Sequence, residues 1–110
     1  MAIISNLTID QGTTFTANID CTSSDNTALN LTGYTVAGQL RKTYDSTTNT
    51  SFTAIVANAL TGRLSISLTP VQTGALSAGR YVYDVEITDA AGVITRVVEG
   101  QVEITPGVTR

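Results

Sequence analysis

Arg80-Tyr81-Val82-Tyr83-Asp84-Val85-Glu86-Ile87-Thr88, closed by Asp89-Ala90-Ala91-Gly92 and followed by the run from Val93 to Ile104, is the stretch that decides the fold. Tyr81, Tyr83, Val85 and Ile87 fall on one face of an extended chain, while Asp84, Glu86 and Thr88 fall on the other. This period of two marks a strand with one face buried. Asp89 to Gly92 supplies turn formers, so the next strand returns beside it as a hairpin. The length of that last strand predicts a bulge or bend at Gly100, with Val98, Val102 and Ile104 inward.

Working outward, the same period recurs. Leu7 and Ile9 alternate with polar residues, as do Phe15, Ala17 and Ile19 after the turn-like Asp10-Gln11-Gly12, which reads as two paired strands. The polar run Thr22 to Asn30 is an exposed connection, and Leu29 and Leu31 plug one end of the core. Tyr34, Val36, Gly38 and Leu40 share a face of the third strand; Tyr44 to Ser51 is a second polar loop; Phe52 to Ala57 is the next strand. Asn58 to Gly62 predicts a hairpin turn with Gly62 at positive φ, leading into Leu64, Ile66 and Leu68. Thr69-Pro70 caps one short helical turn near residues 70–76, with Val71 and Leu76 inward and Ala78-Gly79 as its stop.

These elements predict an all-β fold: an antiparallel two-sheet sandwich, immunoglobulin-like in form, of about seven strands in a single domain over residues 1–110. A small closed barrel is the rival arrangement. The expected core holds Phe15, Ile19, Val36, Leu40, Leu64, Ile66, Leu68, Tyr81, Val85, Ile87, Val98 and Val102.

Composition bounds the function. The 110 residues carry a net charge of −3 with only 14% charged residues, and hydroxylated side chains supply the polarity. Without a basic stripe there is nothing to displace counterions from phosphates, so no nucleic-acid partner is expected. The absence of His removes the commonest general base, the usual triads and most zinc sites. The single Cys excludes an internal disulfide and a CxxC motif. No apolar stretch approaches the ~20 residues of a membrane span, and no signal-like amino terminus is seen, so the expectation is a soluble chain made in a cytoplasm, with no membrane partner.

Each candidate site has a plainer reading. Asp10, Asp20 and Asp25 could supply oxygen ligands for Ca²⁺, but their spacing matches no calcium loop, and turn and cap roles are expected instead. Asp84 with Glu86, and Glu99 with Glu103, have the spacing of a carboxylate pair on one strand face. With 5% aromatic residues and no Trp to wall a sugar cleft, cross-strand pairing with Arg80 or Arg96 is the expected use. Cys21 reads as a small buried thiol with no base to activate it. Tyr81 and Tyr83 read as core aromatics whose hydroxyls reach the rim, and the glycines follow no phosphate-cradling spacing. No catalytic residue, cofactor or metal is expected.

A further signal lies in the order of Leu68-Thr69-Pro70, Thr73, Leu76, the run Gly79-Arg80-Tyr81-Val82-Tyr83-Asp84-Val85, and Gly100-Gln101-Val102-Glu103-Ile104 before Val108-Thr109-Arg110. Fainter matches are Gln11-Gly12-Thr13-Thr14-Phe15 and Leu31-Thr32-Gly33-Tyr34 before Val36 to Arg41. In this pattern the chain resembles the small immunoglobulin-like β-sandwich structural domains of tailed-bacteriophage virions, such as the amino-terminal domain of upper baseplate proteins. The resemblance covers most of the chain and implies a non-enzymatic virion protein, present in multiple copies on the capsid surface, the head-tail region or the tail and baseplate. Its implied partners are other virion proteins and copies of itself. The alternative is an immunoglobulin-like recognition module for carbohydrate or a host surface. Ile3 and Ile4, and Val108, Thr109 and Arg110 beyond the break at Pro106-Gly107, are the candidate assembly contacts, because apolar side chains and a guanidinium there are either fold-completing or partner-binding.

Overall fold

The computed structural model describes residues 3–22, 27–47 and 49–108. Among them run nine strands and one helix: β1 (Ile3–Ile4), β2 (Leu7–Asp10), β3 (Phe15–Asp20), β4 (Thr35–Arg41), β5 (Thr50–Ser51), β6 (Thr53–Asn58), β7 (Arg63–Leu68), α1 (Pro70–Gly74), β8 (Gly79–Thr88) and β9 (Ile94–Thr105). One sheet has the order β1-β9-β8-β4-β5, with β2 also on β9; the other has the order β3-β7-β6. The two sheets enclose the core that the period-two pattern predicts. Leu40, Leu64, Ile66, Leu68, Tyr81, Val85, Ile87, Val98 and Val102 are buried. Phe15, Ile19 and Val36 are half-buried. For Phe15 and Ile19 the reason is position: β3 is an edge strand, covered from one side only.

The expected pairing of the first two long strands does not occur. β2 runs parallel to β9, with Leu7 beside Val102 and Ile9 beside Ile104, whereas β3 pairs antiparallel with β7 in the other sheet. Alternation cannot separate strands that share a sheet from strands that face each other across the core, since both point apolar residues inward. The segment between them is a crossover held by Gln11. Its N–H donates to the Thr105 carbonyl (2.9 Å), its Nε2 donates to the Leu76 carbonyl (2.8 Å), and its Oε1 accepts the Gly107 N–H (3.2 Å).

Gly100 has a different role from the expected bulge. The register of β8 and β9 slips where Val85 faces Val98 and Glu86 faces Arg96, so the extra residue is Val97; Gly100 stays opposite Tyr83. What Gly100 provides is room. A Cβ there would lie 2.2 Å from the Ser5 carbonyl oxygen. β1 and β2 are one strand, broken where Ser5 and Asn6 pass Gly100, and the Asn6 Oδ1 takes the Gln101 N–H at 3.0 Å.

The helix is as short as expected and carries a complete capping box: Thr69 Oγ1 accepts from Gln72 N–H (3.2 Å), and Gln72 Oε1 accepts from Thr69 N–H (2.9 Å). Its inward residue is Thr73, followed by the buried Leu76 just beyond its end, and Val71 is exposed. A one-turn helix can bury one stripe, and that stripe is chosen by Thr73, whose hydroxyl donates to the Thr13 carbonyl at 2.8 Å. The loop from Tyr44 contains β5, which pairs Thr50 and Ser51 with Leu40 and Gln39. Both hairpin turns match expectation, with Gly62 at φ 72° and Gly92 at φ 88°.

At the crossover between sheets, Tyr81 near the start of β8 donates its hydroxyl to the Ser77 carbonyl (2.9 Å). This is the tyrosine corner of immunoglobulin-like sandwiches, and the strand order agrees with that form. Two residues on, where antibody domains place half of their inter-sheet disulfide, stands Tyr83. Its ring meets Phe52 edge-on (6.0 Å between centroids), and Phe52 meets Phe15 (6.2 Å). An aromatic line thus spans from one sheet to the other.

Gly100→Ala is expected to lower stability by roughly 2–4 kcal/mol, because Ser5 must move and the first strand must separate from β9. Urea unfolding measures it; a loss below about 0.5 kcal/mol would show that the close approach is not required.

Candidate functional site

The outer face of the larger sheet holds a shallow groove of about 330 Å³, open to solvent between β4, β8 and β9. Alternation places Gln39 and Arg41 of β4 and Asp84 and Glu86 of β8 on it, because their neighbours in sequence, Leu40, Tyr83 and Val85, fill the core. Asp84 lies directly opposite Glu99 in the β8–β9 register. Two carboxylates so placed repel, and Arg96 answers them both: its Nε is 3.2 Å from Asp84 and its Nη1 is 2.9 Å from Glu99. Arg41 is fixed by the Ser46 carbonyl (2.6 Å) and Gln39 Oε1 (3.1 Å). Tyr44, 83% exposed, stands at the rim. The groove therefore offers ion pairs, an amide and one free aromatic ring.

A second concavity, of about 340 Å³, lies beyond the tyrosine corner between Leu40, Lys42, Thr50, Leu76 and Tyr81. Lys42 Nζ sits 4.7 Å above the Tyr81 ring, a cation–π contact.

The carboxylates considered for calcium do not converge. Asp10 accepts from the Thr105 hydroxyl (2.7 Å), and its carbonyl takes the Thr13 hydroxyl (2.7 Å). Asp20, at the far end of β3, pairs with Arg63 (2.9 Å), whose guanidinium holds its carboxyl below the usual range. Asp25 lies outside the described residues. Among the described residues no three His, Cys, Asp or Glu form a metal-sized group. Cross-strand pairing of Asp84 with Arg96 agrees with expectation, whereas Glu99 meets Arg96 within its own strand; Glu103 is the register partner of Arg80.

The candidate assembly contacts do not form one patch. Ile3 pairs with Val98 and Ile4 with Glu99; Ile4 is 75% exposed. Val108, almost fully exposed, lies beyond the Thr105 end of β9, so roughly 20 Å of strand separates the two groups. Thr109 and Arg110 lie outside the described residues. Two residues with larger roles escaped the sequence reading. Tyr44 could have been singled out as an aromatic within a polar loop, but nothing local distinguishes Gln11, whose three partners lie far along the chain.

No protein-family model matches the sequence, and no curated protein does. Among solved structures, an internalin-like protein of Listeria monocytogenes is similar over 96% of this chain, with 19% identity and a TM-score of 0.48. The chain spans 28% of that protein's chain. Among the described residues no helix is long and apolar enough to cross a membrane.

Burial pushes the Cys21 thiol up, with the Asp20 carboxylate adding to it, and burial likewise pushes up the Tyr83 hydroxyl, which donates to the Ser5 carbonyl (2.6 Å). Both shifts favour the protonated form in the folded chain. The stability they contribute is present in full below the unfolded-state values, about 8.5 for Cys and 10 for Tyr, and is lost as pH rises through the folded ones. Stability is expected to fall with rising pH in two stages. Cys21→Ala should flatten the earlier stage and Tyr83→Phe the later one in urea midpoints taken from pH 8 to 11. Parallel curves for all three proteins would exclude both groups as the source.

Proposed function

We propose that the chain is a non-enzymatic structural domain of a tailed-phage virion, made in the bacterial host cytoplasm and attached in several copies to the capsid surface, the head-tail region or the tail and baseplate. The observation that carries this reading is the outer face of the β3-β7-β6 sheet. Thr16, Asn18, Thr53, Ser65 and Ser67 make it mostly polar and uncharged, with Ile55 exposed among them and Asp20 and Arg63 as an ion pair at one end. Such a face docks with little loss of side-chain entropy and with no charge to desolvate. The resemblance of the chain's second half to virion sandwich domains points the same way. The groove's paired carboxylates and a thiol without a base support a role other than catalysis.

Thr16→Arg together with Ser65→Arg should leave the melting temperature within a few degrees and reduce incorporation into particles at least tenfold, read from purified virions by mass spectrometry. Undiminished incorporation would remove this face from the interface. Particles that lack the wild-type chain would end the virion reading.

One observation favours the recognition reading as the second choice: the exposed ring of Tyr44 stands over a groove lined by Gln39, Asp84 and Glu86. A sugar stacks its apolar face on such a ring and hydrogen-bonds to amides and carboxylates. On that reading the protein binds glycans on an array and Tyr44→Ala abolishes the signal; an array without binding rejects it.

A further inference from the structure

Among the described residues the smaller sheet ends in two edge strands that pair on one side only, β3 and β6. An open edge offers unpaired backbone N–H and C=O groups to any extended chain, and proteins blunt such edges with charges, Pro, short strands or breaks. The other edges of this sandwich are blunted. β5 has two residues, the first strand is broken at Ser5 and Asn6, and β3 ends in the ion-paired Asp20. β6 is the exception. It reads Thr53-Ala54-Ile55-Val56-Ala57-Asn58, without charge or Pro, and its one irregularity is a bulge at Ala57, near its end. Ile55 is 55% exposed on its outer face, and Ala54 and Val56 are only half-buried on its inner face.

We propose that β6 is the pairing edge for a second copy of this chain. Two β6 strands run antiparallel about a twofold axis through Ile55 and join two three-stranded sheets into one of six. Residues opposed across an antiparallel pair point to the same face, so this register sets Ile55 against its own copy, Ala54 against Val56 and Thr53 against Ala57. Every opposed pair is uncharged. The inner pair extends the apolar core across the junction, and each exposed Ile55 is covered by the other. A second copy fits for two reasons. The strand is complementary to itself in this register, and a twofold contact closes, so pairing consumes both edges and stops at a dimer. The bulge at Ala57 sets the length of the shared ladder. The inference deepens the assembly reading and rests on it for its setting in a particle, but its test uses the isolated chain.

With Cys21 buried, Ile55→Cys creates the accessible thiol. Directly opposed residues have Cα atoms about 4.5–5.5 Å apart, within disulfide reach. Mild oxidation should convert Ile55→Cys to a covalent dimer, whereas Thr16→Cys on β3 stays monomeric. By sedimentation equilibrium the wild-type chain should show a reversible monomer–dimer equilibrium. Ile55→Lys, and independently Thr53→Lys, should weaken it at least tenfold with melting temperatures unchanged in dilute solution. A wild-type chain that stays monomeric to millimolar concentration, a dimer indifferent to both lysines, or crosslinking through position 16 in place of 55 overturns the proposal. Any of these with normal incorporation into particles leaves the virion reading standing.

Discussion

The two sheets of this sandwich are joined through one aromatic ring, that of Phe52. Phe52 stands where the chain leaves β5 in the larger sheet and enters β6 in the smaller, with Tyr83 on one side of its ring and Phe15 on the other. Its N–H donates to the Gly38 carbonyl at 2.9 Å. Gly38 has no side chain to spare for this: a Cβ would lie 3.3 Å from the Phe52 ring, and 3.1 Å from both the Asp84 carbonyl and a Val85 methyl. Where antibody domains pin their sheets with a disulfide, this chain, with one Cys and no Trp, uses dispersion and edge-to-face packing. The contact is apolar, so it holds the sheets in any redox environment.

Tyr83 carries that constraint on to the chain's beginning. Its hydroxyl holds the Ser5 carbonyl, and Ser5 sits at the break in the first strand opposite Gly100. At the other end of β9, Gln11 gathers the crossover, the segment after the helix and the start of the tail. The first strand is thus fastened at two points, by a core tyrosine and a half-buried amide. Deletion beyond Gly107 leaves both intact, whereas Thr105 belongs to β9 and pairs with Asp10.

The surfaces differ in a way that matters for use. The larger sheet's outer face spends its charges on itself, through Arg96 between Asp84 and Glu99 and Arg41 on Ser46 and Gln39. The smaller sheet's outer face is hydroxylated and nearly uncharged, and β6 leaves an edge without the usual guards. A face of the first kind is suited to a ligand with polar groups. A face and edge of the second kind are suited to close contact with protein, where desolvating a charge would cost more than the contact returns.

The long strands, their inward faces, the hairpin turns and the position of the helix were legible in the sequence, because alternation, Gly at positive φ and the Thr69-Pro70 cap are local physics read within a few residues. The sequence also indicated that the carboxylates of this hairpin would be met by Arg80 or Arg96, since these residues lie on its two strands; the structure gives Asp84 and Glu99 to Arg96. Only the tertiary structure decided which strands are neighbours. β2 joins β9 and not β3 because hydrogen-bond partners are chosen by the whole chain, while burial only requires an apolar face. Val71 looks like a core residue, yet Thr73 takes the inward place by way of the distant Thr13 carbonyl. Gly100 looks like a bulge, yet it makes room for a carbonyl from the other end of the chain. In each case the deciding partner is remote in sequence, and contacts of that kind leave no periodic trace.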